Sequence, residues 1–229
     1  GIPEIIDTTI NLRNSERSIY NSVLQAGKYF TNDRKRMMNA FKNGLIKQQE
    51  FEKLLKKSGD FESALRGYDK PIEPESLKIA LLGHPYILYD SFLNMDVFAK
   101  LHSMGCEIIT PQMVADETID RNADILGKRH FWTTGREILG TGLSCYSGKT
   151  VDGIIYLSSF CCGIDSIIED FLKRRISKDG HMPYMMLVLD EHSGEAGFNT
   201  RLEAFLDMIK WRKTYENNIP AHGRNIYCS

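Results

Sequence analysis

Three segments of this chain concentrate residue types that do chemistry: Gly83-His84-Pro85-Tyr86, Ser158 to Ser166 (Ser-Ser-Phe-Cys-Cys-Gly-Ile-Asp-Ser), and Asp190-Glu191-His192-Ser193-Gly194. Each follows a short apolar run, and together they supply thiols, imidazoles, carboxylates and glycines. Cys162 falls where a strand would give way to a helix N-terminus. Unpaired backbone N–H groups and the positive end of the helix dipole lower a thiol's pKa there, so the thiolate could ligate iron or act as a nucleophile. A structural reading stands beside it. Ser166-Ile167-Ile168-Glu169 has capping-box spacing and Cys161 reads as core. Adjacent side chains diverge on extended backbone, so one metal is not expected to take both Cys161 and Cys162. Asp190-Glu191-His192 suits metal ligation, proton transfer or a hydrogen-bonded scaffold. As a metal motif it is incomplete, because the chain has no HExxH or CxxC spacing. Thr200-Arg201-Leu202-Glu203 again has capping-box spacing, with Gly197 freeing the loop before it, so Glu203 reads as a cap and Arg201 as a partner for a carboxylate.

Other constellations fail on context. Gly140-Thr141-Gly142 lies inside a helical stretch rather than after a strand. Ser147-Gly148-Lys149-Thr150 imitates the end of a Walker motif without its first glycine. A Gly-x-Ser-x-Gly elbow is absent, so neither an ATPase nor a hydrolase of that type is expected.

The elements that must position these loops are legible in two rhythms. In residues 1–75, Ile19, Val23, Ala26 and Phe30 form an apolar stripe on a helix starting at the N-cap Asn14. A second helix carries Met38, Phe41, Leu45, Phe51, Leu54 and Leu55 and stops at Ser58-Gly59. Between Lys28 and Lys57 stand nine basic and three acidic residues, a solvated helix face or a local patch for an acidic partner. Pro71 and Pro74 then break the pattern. From residue 76 to about 215, apolar runs at 78–82, 107–110, 153–157 and 185–189 alternate with helical stripes: Phe92, Met95 and Phe98; residues 129–143; Ile164, Ile168, Phe171 and Leu172; and Leu202, Phe205, Leu206 and Ile209. Continuous apolarity marks strands buried on both faces, so an α/β fold is expected, an open parallel sheet of about four strands with helices on both sides. Residues 216–229 read as a tail. In such sheets the ligand crevice lies beyond the carboxyl ends of the strands, which gathers the three segments on one edge.

Composition narrows the classes further. Twenty-nine basic residues against 30 acidic ones leave a net charge of −1, which argues against a broad grip on nucleic acid or anionic lipid. No apolar run approaches the roughly 20 residues of a membrane span. Five cysteines without a visible secretory signal fit a reducing, cytoplasmic compartment. The sequence opens at Gly1 without an initiator Met, so its start reads as a processed boundary.

At the three loops the sequence resembles the 2-hydroxyacyl-CoA dehydratase superfamily, nearest to its CoA-substrate-specific enzyme activase-related branch. The matching residues are Gly83-x-Pro85-Tyr86 with Asp90 and Asn94, Phe160-x-Cys162-Gly163-x-Asp165-Ser166, and Asp190-Glu191-His192 with Gly197 and Thr200-Arg201-x-Glu203-Ala204-Phe205. Phe131-Trp132 also fits. The likeness covers roughly residues 77 to 213. It implies a flavodoxin-like sheet, with Cys162 as one ligand of an iron–sulfur cluster whose other thiolates come from a preceding α/β domain or partner subunit, so that the cluster is incomplete in this chain alone. It further implies an acyl-CoA site using His84, Pro85, Tyr86, Asp165, Ser166, Arg201 and Glu203, catalytic groups at Asp190, Glu191 and His192, and electrons supplied by an ATP-dependent activator protein. Three positions depart from the pattern: His84 stands where the family commonly has Arg, Ile164 where it has Pro, and Cys161 is an additional thiol. His84 lacks the permanent bidentate fork of Arg toward a CoA phosphate. The function implied is a component of a dehydratase-like or activase-related system contributing one side of an iron–sulfur and acyl-CoA site. The alternative is a non-catalytic ligand-binding or scaffold domain of the same fold without a cluster.

Overall fold

The computed structural model describes residues 5–10, 16–58, 76–124, 132–178 and 180–218. The chain divides into two compact units, Gly1–Leu54 and Leu55–Ser229.

The first unit carries helix α1 (Glu16–Gly27) and most of α2 (Arg34–Ser58). Asp33 starts α2 by accepting the N–H groups of Lys35 and Arg36 at 2.8 and 3.2 Å, as an N-cap side chain should. Gly27 allows close approach, since a Cβ there would stand 2.7 Å from Met37 Cγ. The stripe expected through Phe30 ends at Ala26, because the helix stops at Gly27 and Phe30 is 80% exposed in the following turn. The basic residues of α2 from Arg34 to Lys56 face solvent.

In the second unit the four strands are β1 (Leu77–Leu82), β2 (Cys106–Ile109), β3 (Gly153–Ser159) and β4 (Tyr184–Leu189). All pairings are parallel and the order is β2-β1-β3-β4. Helices α3 (Pro85–Leu88), α4 (Val97–Ser103), α5 (Asp116–Ala123), α6 (Thr133–Gly148), α7 (Gly163–Ser177) and α8 (Glu195–Asn218) connect and flank them. Both sheet faces are covered. Leu77, Ile79, Leu81, Ile155, Leu157 and Leu187 pack with residues of α3, α4 and α8, while Ala80, Leu82, Ile154 and Tyr156 pack with α6 and α7. The period-two split along β1 is what a doubly covered strand requires. Each fully buried Leu or Ile contributes on the order of 2 kcal/mol.

Several local expectations are corrected. Phe92, Met95 and Phe98 do not form a helical stripe: Met95 and Asp96 take positive φ (55° and 57°), the helix begins at Val97, and Phe92 is 89% exposed. The turn is instead tied by Asn94, whose amide donates to the carbonyls of Ile87 and Leu88 and whose Oδ1 accepts the Val97 N–H. Neither capping-box spacing marks a helix start. Ser166 lies inside α7 and Thr200 inside α8, their hydroxyls donating back to the carbonyls of Cys162 and Ala196. Gly197 is likewise helical. Among the described residues no helix is long and apolar enough to cross a membrane.

Burial at the sheet sets a pH dependence. Desolvation pushes the Cys106 thiol up from 9.0 to about 11, Lys210 opposing and Asp152 reinforcing the effect, and the Tyr89 phenol up to about 12. The unfolded chain therefore gives up the Cys106 proton first. Stability should be intact below pH 9 and fall as pH rises toward 11. Urea midpoints measured at neutral pH and inside that window should show the decline, and Cys106→Ala should flatten it.

Candidate functional site

The site forms where β1 and β3, neighbours in the sheet, send their chains to opposite faces, the switch point at which open α/β sheets bind ligands. Gly83 ends β1 with no room for a side chain, since a Cβ would stand 2.7 Å from the Leu157 carbonyl oxygen. Pro85 then opens the single turn of α3, a position where its missing N–H is harmless and its fixed φ is already helical. His84 caps that turn through its carbonyl, which accepts the N–H groups of Ile87 and Leu88, each at 3.0 Å. Its ring stacks on Tyr86 with centroids 5.6 Å apart. These backbone constraints direct the imidazole toward the end of β3.

From β3 come the other two members. Cys161 bends the chain with φ 63°, Cys162 is the N-cap of α7, and Asp165 lies in its first turn. Asp165 is wholly buried. Its Oδ1 accepts the Tyr156 hydroxyl at 2.7 Å, its Oδ2 accepts the Ser158 hydroxyl at 3.1 Å, and His84 Nε2 stands 3.1 Å from Oδ1. That last approach is off the hydrogen-bond line, leaving buried Nε2 without a hydrogen-bond partner. One donor atom each from His84, Cys162 and Asp165 lie within 4.8 Å of one another, a set that could hold a metal ion. Burial first, then the Asp165 charge and hydrogen bond, hold the Tyr156 phenol firmly in its protonated form. Tyr86 borders the group; burial pushes its phenol up, the Ser159 hydroxyl opposes, and the charges of Cys162 and Asp165 add to the rise.

The remaining expected residues are not part of this donor set. Asp190 is exposed and held below its ordinary range by the Ser193 hydroxyl and the His192 N–H. His192 and Glu191 approach only to 3.8 Å and are 86% and 79% exposed. Pro85, Ser166, Arg201 and Glu203 are exposed. Sequence reasoning passed over Tyr156 and named Ser158 only as the start of its segment, although two polar side chains at i and i+2 in an apolar run share a sheet face and so announce a common partner.

The donor set does not fit an iron–sulfur cluster, which is held by several thiolates. Among the described residues Cys106 is buried at the start of β2, Cys145 is buried in α6, and Cys161 is exposed outside the trio. Cys228 lies outside the described residues. Burial pushes the thiols of Cys106 and Cys145 up and removes them from solvent. Brief iodoacetamide treatment of the folded protein should therefore label Cys161 and Cys162 at least about tenfold faster than Cys106 and Cys145, because thiolate fraction and access together set the rate. Peptide mapping by mass spectrometry reads this directly. Rapid labelling of Cys106 would contradict the placement of β2.

A four-stranded parallel α/β unit with a His, Cys and Asp group at its switch point defines the class of protein. Residues 3–114, just under half of the chain, match the family model described as CoA enzyme activase uncharacterised domain (DUF2229). The match spans the N-terminal helices, β1, β2 and the Gly83 to Asn94 turn, and ends before Cys162. No curated protein matches significantly.

Proposed function

We propose that this chain is a component of a CoA-substrate system of the activase-related or 2-hydroxyacyl-CoA dehydratase-like kind, with the β1/β3 edge as its working face toward an acyl-CoA and a partner domain. The observation that carries this reading is the overlap between the family match, which runs through residue 114, and the Gly83-His84-Pro85-Tyr86 turn that sets His84 against Asp165. His84 and Tyr86 line the edge with Asp165 buried against the His84 ring, Pro85 shapes it, and Ser166, Arg201 and Glu203 are solvent-accessible groups for the polar parts of a CoA ester. Asp190, Glu191 and His192 form a separate exposed loop at the end of the adjacent strand β4.

With one thiol in the donor group, any cluster would need its other thiolates from a preceding α/β domain or partner subunit. Anaerobic reconstitution with iron and sulfide tests this. The 229-residue chain alone should retain no stable cluster, the chain joined to a cysteine-bearing preceding domain should retain one, and Cys162→Ser should then weaken it. Stoichiometric iron and sulfide on the isolated chain would overturn the half-site reading. Absence of a cluster even in the joined protein would favour a scaffold domain that keeps the fold without the redox chemistry.

A further inference from the structure

We infer that His84, Cys162 and Asp165 bind one thiophilic divalent cation, of the zinc or cobalt(II) kind, using donors that all belong to this chain. Four features converge on it. The first is chemical type: one thiolate, one imidazole and one carboxylate are a borderline-soft set that suits zinc-like ions and not magnesium or calcium, which take oxygen ligands. The second is spacing. Donors about 2 Å from a common tetrahedral ion stand roughly 3 Å apart, and His84 Nε2 and Asp165 Oδ1 are separated by 3.1 Å. Cys162 completes the triangle within 4.8 Å.

The third feature is the vacant hydrogen-bonding capacity of His84. Its Nε2 is shielded from solvent and directed at a carboxylate without making a hydrogen bond. A buried ring nitrogen without a hydrogen bond, 3.1 Å from a carboxylate oxygen, is placed as a ligand is placed. The fourth is the support behind Asp165. The Tyr156 and Ser158 hydroxyls each donate to one of its oxygens, fixing the carboxylate as outer-shell partners of metal ligands do. Three protein ligands leave a fourth position for water or an oxygen donor, and Tyr86 stacks on the His84 ring beside the group.

This inference needs no second domain and no acyl-CoA, and because it uses the same Cys162 thiolate, a resident cation and a shared cluster exclude each other. The test is titration of tag-free, chelator-stripped, reduced full-length chain with cobalt(II), followed by absorption spectroscopy and by competition with zinc. One cobalt per chain is expected, with a sulfur-to-metal charge-transfer band, displaced by zinc and untouched by excess magnesium. Cys162→Ser should abolish that band while Cys161→Ser retains it. His84→Ala and Tyr156→Phe should each weaken binding by about 10–100-fold. Circular dichroism confirms that each variant is folded, and Cys162→Ser, at the rim of the sheet, serves where Tyr156→Phe does not fold. No binding, a band that survives Cys162→Ser, or affinity unmoved by His84→Ala would overturn the site. An acyl-CoA titration of the same metal-free protein keeps the two readings apart: a chain that binds the ester and not cobalt refutes the metal site and leaves the CoA reading standing.

Discussion

Asp165→Ala should lower the stability of the α/β unit by about 3–5 kcal/mol, the scale at which removing one member of a buried charged group destabilises a fold. The carboxylate is wholly buried, and its loss strands the Tyr156 hydroxyl and takes from the Ser158 hydroxyl the nearer of its two acceptors, leaving the Ser159 carbonyl at 3.3 Å. An orphaned hydroxyl costs on the order of 1–3 kcal/mol, because water cannot replace the lost acceptor. Asp165→Asn keeps an acceptor for Tyr156 and should cost less. The triple change Tyr156→Phe, Ser158→Ala, Asp165→Leu should also cost less than Asp165→Ala alone, since it removes the polar partners along with the charge. Urea denaturation of the four proteins orders them. An Asp165→Ala protein as stable as the parent would show that the network does not hold the end of β3.

Gly140→Ala should also destabilise, by roughly 1–3 kcal/mol, although alanine is the better helix former. A Cβ at Gly140 would collide with the Ile119 carbonyl oxygen and lie 2.9 Å from its carbon, where α5 crosses α6. Two of the three obstructing atoms are backbone and cannot rotate aside, and the third is the Ile119 Cγ2 methyl at 2.8 Å. Gly197→Ala is the matched control. It lies in α8 with nothing within 4 Å of the new methyl, so helix propensity alone should act and stability should rise by up to about 1 kcal/mol. Opposite signs for two Gly→Ala changes in helices of one unit would locate the close helix crossing. Equal signs would contradict it.

The strands were legible because parallel strands buried on both faces read as unbroken apolar runs, and each expected run lies within about two residues of its observed strand. Helix boundaries were harder to read. The spacing Thr200-x-x-Glu203 looks like a start wherever it occurs, yet α8 begins at Glu195 because Phe198 and Leu202 already belong to its buried stripe. Helix α5 escaped notice since its eight residues offer only Ile119 and Ala123 to the interior. Resemblance and topology together located the edge, and residue type marked His84, Cys162 and Asp165 within it. What stayed hidden was long-range: 81 positions of chain separate His84 from Asp165, and nothing local to Asp190, Glu191 and His192 shows that their loop faces solvent instead of joining the others.

The central claim is that the working face of this chain is the edge where β1 and β3 end. Hydrogen exchange of the full chain, followed by mass spectrometry with and without a saturating 2-hydroxyacyl-CoA, tests it most directly. Slowed exchange across residues 83–90 and 158–166 is expected on adding the ester, with Asp116–Ala123 unchanged. Unchanged exchange in both loops, or protection confined to regions away from them, would contradict it.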